Sequence, residues 1–149
     1  MRLFVGLLFI GFFSFFTAPE FTDWGGYNGG DNRNHFSPLT QINVSNVKNL
    51  KLAWSYSSGG ADTVNQTTQI QCNPIIIQGV LYGVSAGSQA FALDAKSGRE
   101  IWKTAIQEKT PSMNSRGVAF YSSPGQRSKI FFGYFSGFFG GQYWALQRP

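Results

Sequence analysis

Few side chains in this sequence are suited to chemistry, and their number already narrows what the chain can do. One cysteine, Cys72, excludes an intrachain disulfide framework and any multi-cysteine zinc site. One histidine, His35, makes a His-rich metal centre equally untenable, and its loop-forming neighbours make it a loop residue. The formal net charge is +5, but Lys48, Lys51, Lys96, Lys103 and Lys109 are scattered and form no run. They read as a solvated basic surface, not as a nucleic-acid footprint. The informative spacing lies at residues 92–102, A-L-D-A-K-S-G-R-E-I-W. Asp94 can accept backbone N–H groups across a turn, with Ser97 assisting. Gly98 can take the positive φ that closes a hairpin. Trp102 then falls four residues further along the outgoing strand, where its ring can pack against a neighbouring sheet.

The elements that must position these residues are β-strands. Residues 74–85, PIIIQGVLYGVS, read as two strands hinged at Gln78-Gly79. Residues 89–104 read as a strand (AFALD), a turn (AKSG) and another strand (REIWKT). Upstream, DWGGYNGGDNRN at 23–34 is too rich in turn formers for helix or strand. A turn at Ser37-Pro38 leads to a short helical or turn-like stretch, NVSNVKNL, which Ser45 could cap. LKLAWSYS at 50–57 alternates apolar and polar residues as a half-buried strand does. Residues 59–69 form a polar loop. No amphipathic helix is evident after residue 50, so the fold class is all-β and antiparallel.

Composition agrees with one folded domain. The 149 residues are 42% hydrophobic and 13% charged, enough apolar material for a core and too little charge for disorder. The Phe residues are unevenly placed, with seven of fifteen in residues 1–21 and five in 131–139. At the start, Met1-Arg2 precedes the uncharged run LFVGLLFIGFFSFFTA, which matches a secretory signal peptide over residues 1–18. The run is shorter than the ~20 residues of a usual spanning helix. The chain is therefore expected to be exported to the periplasm, or anchored to the inner membrane if the segment stays uncleaved.

The spacing A-x-D-x-x-[ST]-G-[KR]-x-x-W resembles the tryptophan-docking motif of quinoprotein propellers. The preceding segment resembles the N-terminal signature of pyrroloquinoline-quinone (PQQ) dependent dehydrogenases. It does so through Asp23-Trp24, Asn28-Gly29, Phe36-Ser37-Pro38-Leu39, Gln41-Ile42-Asn43, Asn46-Val47, Leu50 and Ala53-Trp54. Ser115-Arg116-Gly117-Val118-Ala119-Phe120-Tyr121 is similar to the family's R-G-V-A-Y-Y segment opening the next blade. The resemblance runs from Asp23 to Phe132 and is closer to the glucose dehydrogenase-like branch than to methanol dehydrogenase. It implies a partial quinoprotein-type β-propeller over residues 19–132, about one complete blade plus part of the next. Propellers use several blades of roughly 40–50 residues, so the chain is expected to be a fragment. In residues 133–149, Tyr143-Trp144-Ala145-Leu146 echoes the next motif, but Gln147 stands where the turn Asp should be. That tail is expected to be aberrant, from a frameshifted or truncated frame.

The resemblance also implies a site. PQQ is a flat tricarboxylated quinone, suited to a cationic clamp, flat stacking surfaces and Ca²⁺. Arg116 corresponds to the arginine set against a PQQ carboxylate, where its guanidinium can bind two oxygens at once. Gln71 stands where many relatives carry a Glu facing the cofactor. Both remain equally readable as structural groups, a strand-opening Arg and a loop amide. Cys72 lacks the adjacent cysteine of the alcohol and methanol branch and reads as a small core residue. Trp54 and Trp102 read as core residues. The catalytic base and calcium ligands belong to later blades in the family, so no catalytic or metal residue is assigned. PQQ and Ca²⁺ are expected in the full-length family and are not expected to bind stably to the fragment. A sugar or alcohol substrate and a quinone or cytochrome acceptor are the implied partners, with self-association through exposed sheet edges. A propeller scaffold of the outer-membrane assembly type and a small secreted β-protein remain alternatives.

Overall fold

The computed structural model describes residues 23–30, 32–65, 68–104, 116–136 and 140–147, with side chains up to residue 133. The expected signal peptide at 1–18 lies outside the described residues. Among the described residues there are seven strands: β1 Ile75–Ile77, β2 Val80–Val84, β3 Ala90–Asp94, β4 Glu100–Lys103, β5 Val118–Tyr121, β6 Lys129–Ser136 and β7 Gly140–Gln147. They form two antiparallel meanders, β1-β2-β3-β4 and β5-β6-β7.

The hairpins follow the turn chemistry. Between β1 and β2, Gln78 and Gly79 both take positive φ, 49° and 76°. That is the twist a two-residue hairpin loop needs. Between β3 and β4, Ser97 donates from its N–H and its Oγ to Asp94 Oδ1, at 2.8 and 2.7 Å. Gly98 sits at φ 71° and donates its N–H to Asp94 O at 2.8 Å.

Alternation decides which side chains meet. Ile75, Ile77, Tyr82, Val84, Ala90 and Ala92 share one face of the first sheet and form a core with Val118, Ile130 and Phe132 of the second. Ile75 and Ala92 are 0% exposed, and burying a side chain of the Ile class contributes about 1.5–3 kcal/mol. Phe91 and Leu93 are also buried and face the other way by strand alternation. There the Tyr56 ring lies 5.1 Å from that of Phe91.

Two local expectations are corrected. LKLAWSYS forms no sheet ladder. Its half-buried and buried positions Trp54, Tyr56 and Ser58 do alternate with exposed ones, but they are held by side chains. Trp54 Nε1–H donates to Ala95 O at 3.2 Å, Tyr56 O–H donates to Glu100 Oε2, and Lys103 Nζ donates to Ser58 O. Ser45 does not cap the short 3-10 turn Val47–Asn49, whose N-cap is Asn46 without a side-chain bond. The Ser45 N–H and Oγ are instead taken by Asn43 Oδ1. Residues 133–147 contain the end of β6 and all of β7, paired from Lys129↔Gln147 to Ser136↔Gly140. The expected boundary after Phe132 therefore falls inside a strand.

Candidate functional site

An antiparallel meander gathers the start of β1, the end of β2, the start of β3 and the end of β4 at one end of its sheet. That end holds Gln71, Cys72 and Asn73, the turn Ser85–Gln89, and Lys103-Thr104. The second sheet is tied to it at the same place. Asn73 bridges Gly117 in the parallel sense, and Asn73 N–H donates to Arg116 O at 3.2 Å. A Cβ on Gly117 would stand 3.4 Å from Asn73 O, so the two segments approach almost as closely as backbones allow. The contact is made by Asn73, two residues after Gln71, with the Arg116 backbone, so Gln71 leads into β1 and Arg116 into β5 at the same end of the first sheet.

Their surroundings differ. The Arg116 side chain is exposed. Gln71 is half-buried. Next to it, Cys72 packs against the core and accepts Val84 N–H on Sγ at 3.3 Å. Burial raises the thiol pKa, only partly offset by that hydrogen bond, so Cys72 stays a neutral packing group, as the sequence indicated. The turn at this end is well tied. Gln89 Nε2 donates to Thr104 O at 2.8 Å, and Gln89 N–H donates to Ser85 Oγ at 3.1 Å. His35 is an exposed loop residue whose N–H donates to Asn28 O.

At the opposite end, Trp54 lies over the β3–β4 turn. A Cβ on Gly98 would fall 2.5 Å from Trp54 Cδ2, so the ring rests where only glycine leaves room. Trp102, on β4, packs against the core with its ring 6.1 Å from Tyr82. The sequence marked the turn correctly but did not reveal that Trp54, about one blade's length of chain upstream, would cover it. The ring-over-glycine pairing of two distant motif residues was the available signal.

A family model described as glucose/ethanol/alcohol dehydrogenase, beta-propeller domain, of the PQQ type, matches residues 24–140. The chain belongs to the PQQ-dependent dehydrogenase β-propeller family. Among curated relatives, quinoprotein glucose dehydrogenase of Escherichia coli is 36% identical over 107 residues, covering 68% of this chain and 13% of the relative. Quinoprotein ethanol dehydrogenase of Pseudomonas aeruginosa is 35% identical over 114 residues, 72% of this chain and 16% of the relative. The glycerol dehydrogenase large subunit of Gluconobacter oxydans is 30% identical over 112 residues, 71% of this chain and 15% of the relative. The chain therefore spans only about a seventh of the length of these relatives, and the matched family domain extends eight residues past Phe132.

The donor set suits part of the family cofactor. An exposed guanidinium has the charge and the donor geometry that a carboxylate of PQQ needs, and an amide can add a neutral hydrogen bond. Among the described residues, no group of three or more His, Cys, Asp or Glu is placed to hold a metal ion.

Proposed function

We propose that this chain supplies one edge of the cofactor site of an exported PQQ-dependent sugar or alcohol dehydrogenase. Bound PQQ would supply the two-electron oxidant for the substrate carbinol. Arg116 would hold a cofactor carboxylate and Gln71 would donate or accept a hydrogen bond beside it. The observation that supports this reading is the Asn73 N–H···O bond to Arg116, which brings the Arg116 backbone to the sheet end that Gln71 leads into. Trp54 over Gly98 supports a tryptophan-docking role for that pair. Electrons would pass to a quinone or cytochrome, and the ligands for Ca²⁺ and the catalytic base would lie outside the described residues. Alone, the described segment offers PQQ one cation and one amide, too few contacts for stable binding. The outer edge of β7 and the exposed apolar residues between Phe36 and Leu52 support self-association of the chain.

Segment exchange tests the reading. The part of the Escherichia coli relative aligned with residues 70–121 would be replaced by this chain's, and apo-enzyme reconstituted with PQQ. Dye reduction should persist. Arg116→Ala within the insert should raise the PQQ concentration for half-reconstitution by about tenfold or more, the scale of one hydrogen bond to a charged group. An active chimera indifferent to Arg116→Ala would remove Arg116 from the site.

A further inference from the structure

The hydrogen bonds around Cys72 depart from the pattern their own hairpin sets. In a hairpin closed by two residues, the flanking pair exchanges both backbone bonds, and the exchange recurs at every second pair. Ile77–Val80 flanks the turn, Ile75–Tyr82 is the next such pair, and Asn73–Val84 would be the third. That pair is not made. Val84 N–H donates to Cys72 Sγ at 3.3 Å, and Asn73 N–H donates to Arg116 O at 3.2 Å. On the other edge of β1, Ile76 exchanges bonds with Trp24 at 2.9 and 3.0 Å. Pro74, the next residue facing that way, has no N–H to extend the pairing. The chain thus changes partner at Asn73, from its own hairpin to the entry of the second sheet.

We propose that Cys72 is a positioning residue for Arg116. Its sulfur accepts the N–H of Val84, which is 1% exposed and would otherwise claim the Asn73 carbonyl. Asn73 is thereby free to swing away from Val84 and hold the Arg116 backbone at the start of β1. The proposal rests on reading Arg116 and Gln71 as cofactor contacts, and it adds what sets their spacing. A hydroxyl can replace the sulfur as acceptor and a methyl cannot. Cys72→Ala should therefore let the third hairpin pair close and pull Asn73 off Arg116, whereas Cys72→Ser should not.

The test uses the full isotope-labelled chain. In the wild type and Cys72→Ser, nuclear Overhauser contacts should link the Asn73 amide to Arg116 and Gly117. In Cys72→Ala these should vanish and contacts from Asn73 to Val84 appear, while those within the Ile130–Leu146 pair stay. Titration with PQQ on the same samples should shift the Arg116 side-chain signals. The half-saturating concentration should rise about threefold or more in Cys72→Ala and stay within about twofold in Cys72→Ser. Unchanged Asn73–Gly117 contacts in Cys72→Ala would overturn the proposal. If Arg116 ignores PQQ in the wild type while the contacts switch as expected, the cofactor reading fails and the positioning role stands. Should Cys72→Ala not fold, the wild type still decides. A Val84 amide exchanging as fast as an exposed one would show that Cys72 holds nothing.

Discussion

The turn at Asp94–Gly98 concentrates most of what single residues do here. Gly98 is constrained twice, by a φ of 71° and by a Cβ position 2.5 Å from the Trp54 ring. Gly98→Ala should destabilise the fold by about 2 kcal/mol or more, from left-handed strain plus displacement of the ring. Trp54→Phe keeps most of the packing but loses the bond to Ala95 O, so urea unfolding should show a smaller loss of about 0.5–1.5 kcal/mol. An equal effect of the two changes would contradict this geometry. Asp94 is held below its usual 3.8, first by the Ser97 hydroxyl and then by the Ser97 N–H. A depressed folded-state pKa gives stability that is present above the unfolded value and lost as pH falls through the folded one. Asp94→Asn should therefore flatten the acid limb of stability below pH ~4, and an unchanged acid limb would show that the turn carboxylate is unlinked to folding. Tyr56 is pushed up from 10.0 to about 12, chiefly by burial and then by its bond to the Glu100 carboxylate. Its contribution is present below pH 10 and lost as pH rises through about 12. Tyrosinate absorbance should show a late-titrating component that Glu100→Gln moves earlier.

Among the elements, the two hairpins of the first sheet were legible because their turn chemistry is local. Gln78-Gly79 and Asp-x-x-Ser-Gly each fix a backbone path from residues only a few positions apart. The strand expected at 50–57 was misread because alternation reports burial, and burial does not require a ladder. Trp54 and Tyr56 are half-buried against distant partners, the Ala95 carbonyl and Gly98 on the β3–β4 turn and Glu100 on β4, which no local window contains. The approach of Asn73 to Arg116 and Gly117 was likewise beyond local reading. Another long-range feature is the crossing of residues 59–60 over the β2–β3 turn, where a Cβ on Gly60 would fall 2.5 Å from Gly87 N. Neither backbone can yield there. Gly60→Ala should thus lower the thermal midpoint well beyond Gly125→Ala. The latter has the same sign of φ and nothing within 4 Å, so it should cost only about 1 kcal/mol. Equal midpoints would mean that the crossing is not tightly packed.

For the whole molecule, the first sheet is covered on both faces, by the second sheet and by residues 54–60, while much apolar surface upstream is not. Val44 is 95% exposed and Leu52 84%, and exposed apolar patches of this kind favour association. Gel filtration at micromolar concentration should show self-associated material, and a monodisperse monomer would count against that reading. The same incompleteness bears on activity. An Arg–carboxylate contact at a solvated surface contributes only about 1 kcal/mol, whereas micromolar affinity needs about 8 kcal/mol. PQQ binding by the chain alone should therefore be millimolar or weaker. The most direct measurement gives the purified chain PQQ, Ca²⁺, a panel of sugars and alcohols and an artificial electron acceptor. The account predicts no dye reduction above background, because on the proposed reading Arg116 and Gln71 would supply only one edge of the cofactor site, and no metal-holding group of His, Cys, Asp or Glu is found among the described residues. Reproducible turnover abolished by Arg116→Ala would contradict it.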